Sequence, residues 1–161
     1  MTTHFSGNRK YLYEFSDLFL VHCPRCDKCA RVVPFAPEGA DEQSKKWLSP
    51  DSKLMFAPRR ITCEYCGYVK DWEGQHVAQV EGRDWYFGCP LWLQGSCCGE
   101  VLWAFNPHHL QFIEDFVRAS FRETHYNASL ASRLPEWMKL GKNRVEVLKG
   151  IEKVRGLLVS G

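Results

Sequence analysis

The stretches CPRC at positions 23–26 and CEYC at positions 63–66 decide how this chain folds. Each is a CxxC pair, whose tight turn brings two thiolates to one metal ion, and two pairs supply the four ligands of a tetrahedral zinc site. The sequence therefore predicts one structural Zn²⁺ ion. Its predicted ligands are Cys23, Cys26, Cys63 and Cys66. Four cysteines make a closed site, because no coordination position remains for a substrate.

A third cysteine competes for the first half of this site. The spacing CxxCxxC allows either Cys23 with Cys26 or Cys26 with Cys29. A zinc knuckle needs a residue that tolerates positive φ directly after its second cysteine. Asp27 meets this need after Cys26, as Gly67 does in the second pair, whereas an alanine follows Cys29. Turn chemistry therefore favours Cys23 and Cys26.

Length and composition predict a single domain, residues 1–161. With 45% hydrophobic and 14% aromatic residues, the chain can bury one core but is short for two. It shows neither a signal-peptide pattern nor a run of about 18 apolar residues, so we expect a cytoplasmic protein without membrane contact. In that compartment cysteines are metal ligands or free thiols rather than disulfides.

Hydrophobic patterning divides the domain into two regions. Residues 1–105 predict a zinc-stapled β region, in which a Pro-rich insertion loop at 36–58 accounts for the long gap between the cysteine pairs. The predicted strands are 11–22, 31–35, 59–63, 68–72, 83–87, 91–94 and 101–105. The helical region 106–161 carries predicted helices at about 107–124, 129–140 and 143–159. The predicted fold is α+β: a zinc-ribbon-type antiparallel sheet followed by two or three C-terminal helices.

A second, weaker set of possible metal ligands lies further along the chain. Its members are Cys89, Cys97, Cys98 and His109, with Gly99 after Cys98 as in a knuckle. The set lacks CxxC spacing, and adjacent cysteines in a strand point to opposite faces, so Cys97 and Cys98 need a bend to bind one ion. Plain thiols, with Cys98 in the core and Cys97 exposed, are the favoured interpretation.

Two of these cysteines also define an alternative function. Cys97 or Cys98 with His108 or His109 would make a thiol-dependent enzyme. No known nucleophile motif surrounds them, a four-cysteine zinc leaves no open position, and no glycine-rich phosphate loop is present. The sequence therefore favours a protein that is not an enzyme and has no nucleotide cofactor.

Non-catalytic recognition of nucleic acid or of a protein partner is the predicted function. The formal charge is only +2, but residues 127–161 carry seven Lys or Arg against three Glu. The candidate phosphate contacts in this basic tail are Arg133, Lys139, Lys142 and Arg144. A solvated helix face is the alternative for these residues, and core packing is the favoured alternative to base stacking for most of the tryptophans.

Four segments of the chain resemble a group of bacterial proteins. They are LWLQ at 91–94, CCGE at 97–100, LWAFN at 102–106 and SLASRLPEWMK at 129–139. Members of this group have no assigned function and look like zinc-ribbon proteins with a CPxC knuckle and C-terminal helices. The resemblance implies a small cytoplasmic accessory protein of bacterial type and implies no activity. Cys89 departs from the group, which has an apolar residue there, and this puts a second metal site in doubt.

Overall fold

The structure is a computed structural model that describes residues 4–6, 12–35, 55–72, 77–119, 121–123 and 134–160. The strands among them are β1 (His4–Ser6), β2 (Phe19–His22), β3 (Cys29–Pro34), β4 (Arg59–Thr62), β5 (Val69–Trp72), β6 (Leu93–Cys97), β7 (Glu100–Ala104) and β8 (Phe121–Glu123). The helices are α1 (Pro107–Arg118), α2 (Glu136–Lys139) and α3 (Arg144–Ser160), with 3-10 turns at Leu12–Phe15 and Gly141–Asn143. Antiparallel sheets followed mostly by helices confirm the predicted α+β class.

Strands β2 to β5 form a four-stranded antiparallel sheet in chain order. One face of this sheet is buried. Alternate side chains of a strand point to the same face, and those of Phe19, Val21, Val32 and Ile61 are each 0% exposed. The loops at 23–28 and 63–68 close the hairpins β2–β3 and β4–β5. Antiparallel order places both loops, and thus both CxxC pairs, at the same end of the sheet.

A separate hairpin joins β6 to β7 through the two-residue turn Cys98-Gly99, since Cys97 is paired with Glu100. Both turn residues have positive φ, 57° at Cys98 and 77° at Gly99, which is the type I′ geometry that matches the twist of a hairpin. Helices α1 and α3 pack against β6 and β7. Strands β1 and β8 form a parallel pair.

Helix α1 begins where the sequence predicts. Asn106 caps it by accepting the backbone N–H of His109 at 2.9 Å, and Pro107 takes the first helical position. The Asn106 amide also donates to two backbone carbonyls before β2, at 2.8 Å each, which ties the start of the helix to the sheet. The helix ends at Arg118 rather than at 124, because 121–123 forms β8 instead.

The described residues contain two hydrophobic clusters. The first lies between the β6–β7 hairpin and the helices, and includes Leu93, Leu102, Leu110, Ile113, Phe116, Val147 and Ile151. The second lies under the four-stranded sheet, and includes Phe19, Val32, Ile61, Trp85, Leu91 and Phe105. Trp85 is 3% exposed, and Trp72, Trp92 and Trp103 are half-buried against these clusters. These four tryptophans therefore pack in or against the core.

Several predicted element bounds need correction. Of the strand predicted at 11–22, only Phe19–His22 is extended, because Leu12–Phe15 forms a 3-10 turn. The strand predicted at 83–87 is wrong, since residues 85–87 form a turn. The helical zone at 129–140 is helical at Glu136–Lys139, directly after Pro135, and positions 124–133 lie outside the described residues. Most of the insertion loop, at 36–54, also lies outside them.

The helix predicted at 143–159 is confirmed as α3, Arg144–Ser160. Its buried side chains Val147, Ile151 and Val154 follow the helical period of three to four residues. None of the helices in the described parts of the chain is both long and apolar enough to cross a membrane.

Candidate metal centre

The two CxxC pairs meet at one end of the sheet. The Sγ atoms of Cys23, Cys26, Cys63 and Cys66 all lie within 4.8 Å of one another. Contacts between the pairs are 3.6 Å for Cys23 with Cys66 and 3.5 Å for Cys26 with Cys63. Tetrahedral zinc with bonds of about 2.3 Å to sulfur places the sulfurs about 3.8 Å apart. The cysteines are thus arranged as ligands of one ion.

The backbone of the first pair has knuckle geometry. The N–H of Cys23 donates to the carbonyl of Lys28 at 2.7 Å, and the N–H of Asp27 donates to the carbonyl of Cys23 at 2.8 Å. The loop that begins at Cys63 repeats both bonds at 2.9 Å. Asp27 has φ 65° and Gly67 has φ 76°, so the residue after each second cysteine adopts the positive φ that turn chemistry predicts.

Cys29 lies outside this group of four. It is the first residue of β3, paired with His22, and its thiol contacts the carbonyl of Ala30 at 4.0 Å. Burial raises the pKa of the Cys29 thiol, which disfavours the thiolate that a metal ion requires. These positions agree with the choice of Cys23 over Cys29.

Without a metal ion the thiols of Cys63 and Cys26 ionise unequally. Burial opposes ionisation of Cys63, but N–H donors from Cys66 and Tyr65 lower the pKa of its thiol to about 7. At Cys26 the N–H of Lys28 lowers the pKa, whereas burial and the neighbouring thiols raise it to about 12. The Cys63 thiolate is therefore accessible near neutral pH, whereas the Cys26 thiolate needs the positive charge of a bound ion.

The second predicted metal set is not assembled. Within the described ranges, the four-cysteine group is the one cluster of three or more His, Cys, Asp or Glu donors close enough to share an ion. Cys89 packs under the four-stranded sheet, whereas Cys97 packs under the helices. Gly99 belongs to a hairpin turn rather than to a metal knuckle, because the chain continues directly from β6 into β7.

The expected exposure of Cys97 and Cys98 is reversed. Cys97 is 6% exposed and Cys98 is exposed. Cys97 is the last residue of β6 and faces α3, where its thiol contacts the carbonyl of Glu146 at 3.6 Å. Cys98 is the first turn residue and leaves the plane of the hairpin, so it faces solvent.

The structure does not pair these thiols with a histidine. His109 is 1% exposed, and its Nδ1 accepts the backbone N–H of Phe105 at 3.0 Å. Burial lowers the pKa of His109 to about 3, so its ring stays neutral in the folded state. His108 is exposed in the first turn of α1, and among the described residues the thiol contacts of Cys97 are to Cys98 and Glu146. His109 therefore has a structural role.

Replacing His109 by Gln should weaken the acid sensitivity of the fold. Between about pH 6.5 and pH 3 the unfolded chain protonates this histidine and the folded protein does not, so stability falls as pH falls, by about 1.4 kcal/mol per unit. Gln offers Phe105 an acceptor but has no proton to gain. Urea unfolding at pH 7 and pH 5 should show a drop about 2 kcal/mol larger for the wild type.

His108→Gln is the matched control for this measurement, because it changes an exposed neighbour in the same way. Its stability should follow the wild type between the two pH values. Equal acid sensitivity in wild type and His109→Gln would contradict the assignment of His109 as a buried neutral group.

A third loop, at 84–89, shares a backbone hydrogen bond and a positive φ with the two CxxC loops, and has Asp84 and Phe87 at the positions of their cysteines. The N–H of Asp84 donates to the carbonyl of Cys89 at 3.0 Å, which joins positions five residues apart, as in both CxxC loops. Gly88 has φ 69° and stands four residues after Asp84, the spacing that separates Cys63 from Gly67. A glycine four residues after the first residue of the loop is the sequence signal that could have identified this turn.

The carboxylate of Asp84 serves in this loop as the internal acceptor. It is 1% exposed and accepts the backbone N–H groups of Tyr86 at 2.9 Å, Phe87 at 2.7 Å and Cys89 at 2.7 Å. In the metal knuckles, sulfur accepts such bonds, as Cys23 does from the N–H of Arg25 at 3.4 Å. The Asp84 carboxylate thus stabilises, without a metal ion, the kind of turn that the other two loops form around cysteine sulfurs.

The predicted basic patch on the helical region is paired with carboxylates only in part. Lys139 lies 3.5 Å from Glu136, Arg144 is half-buried, and Lys142 is exposed. Arg133 lies outside the described residues. On α3, Lys149 pairs with Glu146 and Arg155 pairs with Glu114 and Glu152. A phosphate backbone would have to compete with these carboxylates.

Searches with models of protein families, with curated proteins and with solved structures found no match to this chain.

Proposed function

We propose that Cys23, Cys26, Cys63 and Cys66 bind one Zn²⁺ ion with a structural rather than a catalytic role. The proximity of the four sulfurs, within 4.8 Å at the tips of two knuckles, carries this proposal. Soft thiolates in a tetrahedral set favour zinc among common ions, and four of them exclude substrate from the metal. The ion would clamp hairpin β2–β3 to hairpin β4–β5.

Elemental analysis of the purified protein tests the zinc assignment. We expect one zinc per chain in the wild type and in Cys29→Ser, and none in Cys26→Ser. Cys29→Ser is the matched control, because Cys29 is three residues away and lies outside the cluster. Retention of zinc in Cys26→Ser, or its loss in Cys29→Ser, would refute this ligand set.

We further propose that the zinc-stapled sheet serves as a protein-interaction module, with nucleic acid as the second candidate. Tyr65, between the cysteines of the second knuckle, is 51% exposed, and the Lys28 ammonium lies 5.0 Å from its ring centre. An aromatic ring held on a rigid loop is a typical anchor of protein interfaces. The packed tryptophans and paired basic residues make a nucleic-acid surface the weaker candidate.

Affinity purification distinguishes these two partners. A protein that copurifies with the wild type should bind about tenfold or more weakly to Tyr65→Ala, whose zinc content stays unchanged. A salt-sensitive gel shift with generic DNA or RNA, reduced in Lys142→Ala and unchanged in Tyr65→Ala, would replace this proposal with nucleic-acid binding. The resemblance to bacterial zinc-ribbon proteins agrees with an accessory role of this kind.

A further inference from the structure

The Sγ atoms of Cys97 and Cys98 lie 3.6 Å apart, the same distance as Cys23 to Cys66 in the metal cluster. Adjacent residues of a regular strand would point to opposite faces. Here the positive φ of Cys98, 57°, turns its side chain back toward its neighbour. The hairpin turn therefore supplies the bend that a shared ligand requires.

The two sulfurs have complementary surroundings. The Cys97 sulfur is held against α3, where it contacts the Glu146 carbonyl, and a Cβ at Gly150 would approach it to 3.0 Å. The thiol of Cys98 is exposed and gives a reagent in solution access to the pair. One sulfur is fixed by packing and the other can be reached.

The distance between the sulfurs selects the type of ligand. Two bonds of about 2.3 Å, the length of zinc–thiolate bonds, span 3.6 Å at an angle of about 100°. A linear two-coordinate ion with bonds of this length would need sulfurs about 4.6 Å apart. Zinc itself needs four ligands, and no third donor of the described chain joins this pair in a cluster.

We propose that Cys97 and Cys98 form a vicinal dithiol site for trivalent arsenicals. Trivalent arsenic is pyramidal, with bond angles near those required here, and two sulfurs plus one other substituent complete its coordination. With an organic arsenoxide, each thiol gives its proton to the oxygen on arsenic, two arsenic–sulfur bonds form, and the oxygen leaves as water. Arsenic stays trivalent, so the reaction needs neither oxidant nor reductant.

Titration of the zinc-loaded protein with phenylarsine oxide tests the proposal. Intact mass spectrometry should show one phenylarsenic group per chain in the wild type, with the zinc retained. Cys98→Ser removes an exposed sulfur without disturbing the core, and should weaken binding at least tenfold, because only one thiol remains. Zinc content and circular dichroism verify that this variant is folded.

Cys29→Ser and Cys89→Ser are the matched controls, since each removes a thiol outside the pair. Both should bind the arsenical as the wild type does. Wild-type affinity in Cys98→Ser would overturn the proposal. Release of zinc in step with arsenic uptake would overturn it too, because the reagent would then occupy the four-cysteine cluster.

Discussion

Removal of zinc is expected to unfold the sheet region under conditions in which the zinc-loaded protein is stable. Binding of structural zinc to four-ligand peptides contributes about 10–16 kcal/mol at neutral pH, while a whole domain of this size is stable by about 5–15 kcal/mol. Loss of the ion therefore removes a free energy comparable with the total. No single substitution outside the four cysteines is expected to cost as much.

The position of the cysteines is the reason to expect that the sheet depends on the metal. Cys23 is 2% exposed and Cys63 is 3% exposed, and both belong to the cluster under the sheet with Phe19 and Ile61. Each cysteine begins a six-residue loop that closes a hairpin, so freeing the sulfurs opens both loops. In the metal-free state, burial and the neighbouring thiols would also oppose the ionisation of Cys26 that the metal favours.

Urea unfolding followed by circular dichroism, with and without a zinc chelator, measures this effect. The chelated protein should lose its cooperative transition, and added zinc should restore it. Cys26→Ser should behave as the chelated protein and Cys29→Ser as the loaded one. An unchanged urea midpoint after complete zinc removal would contradict a structural role for the ion.

Local spacing was sufficient to predict the cluster of four cysteines and the start of α1. Two CxxC pairs specify their own turns, and the residues that follow them, Asp27 and Gly67, have the positive φ that such turns need. Asn106 and Pro107 likewise specify a helix start through one capping bond and one fixed φ. In each case the physical cause lies within a few residues of the feature.

The failed predictions depended on context beyond the local pattern. Residues 85–87 are aromatic and strand-prone, but the buried carboxylate of Asp84 holds their backbone as a turn. Strand periodicity predicts that Cys97 and Cys98 point to opposite faces, but it does not apply here, because Cys98 belongs to a two-residue turn. The charge count of the tail could not show that Arg155 meets Glu114, which lies 41 residues earlier on another helix.

Replacing Asp84 by Ala is expected to cost about 3–5 kcal/mol of folding free energy. The substitution removes the acceptor of three backbone N–H groups in a buried loop. Each lost hydrogen bond costs about 1–3 kcal/mol, and the cost is smaller where water can take the place of the carboxylate. The loop also positions Trp85 and Tyr86, whose rings pack on Phe19. Its loss therefore reaches the core under the sheet.

Asp71→Ala is the matched control for this prediction. The Asp71 carboxylate accepts two hydrogen bonds from Arg60, at 2.7 and 3.1 Å, but the pair is exposed to solvent and should contribute little to stability. Asp84→Asn should fall between the two variants, because its amide keeps one oxygen acceptor but presents N–H where Cys89 needs an acceptor. Urea unfolding of the zinc-loaded proteins measures all three. If Asp84→Ala loses no more stability than Asp71→Ala, the loop at 84–89 does not depend on the Asp84 carboxylate.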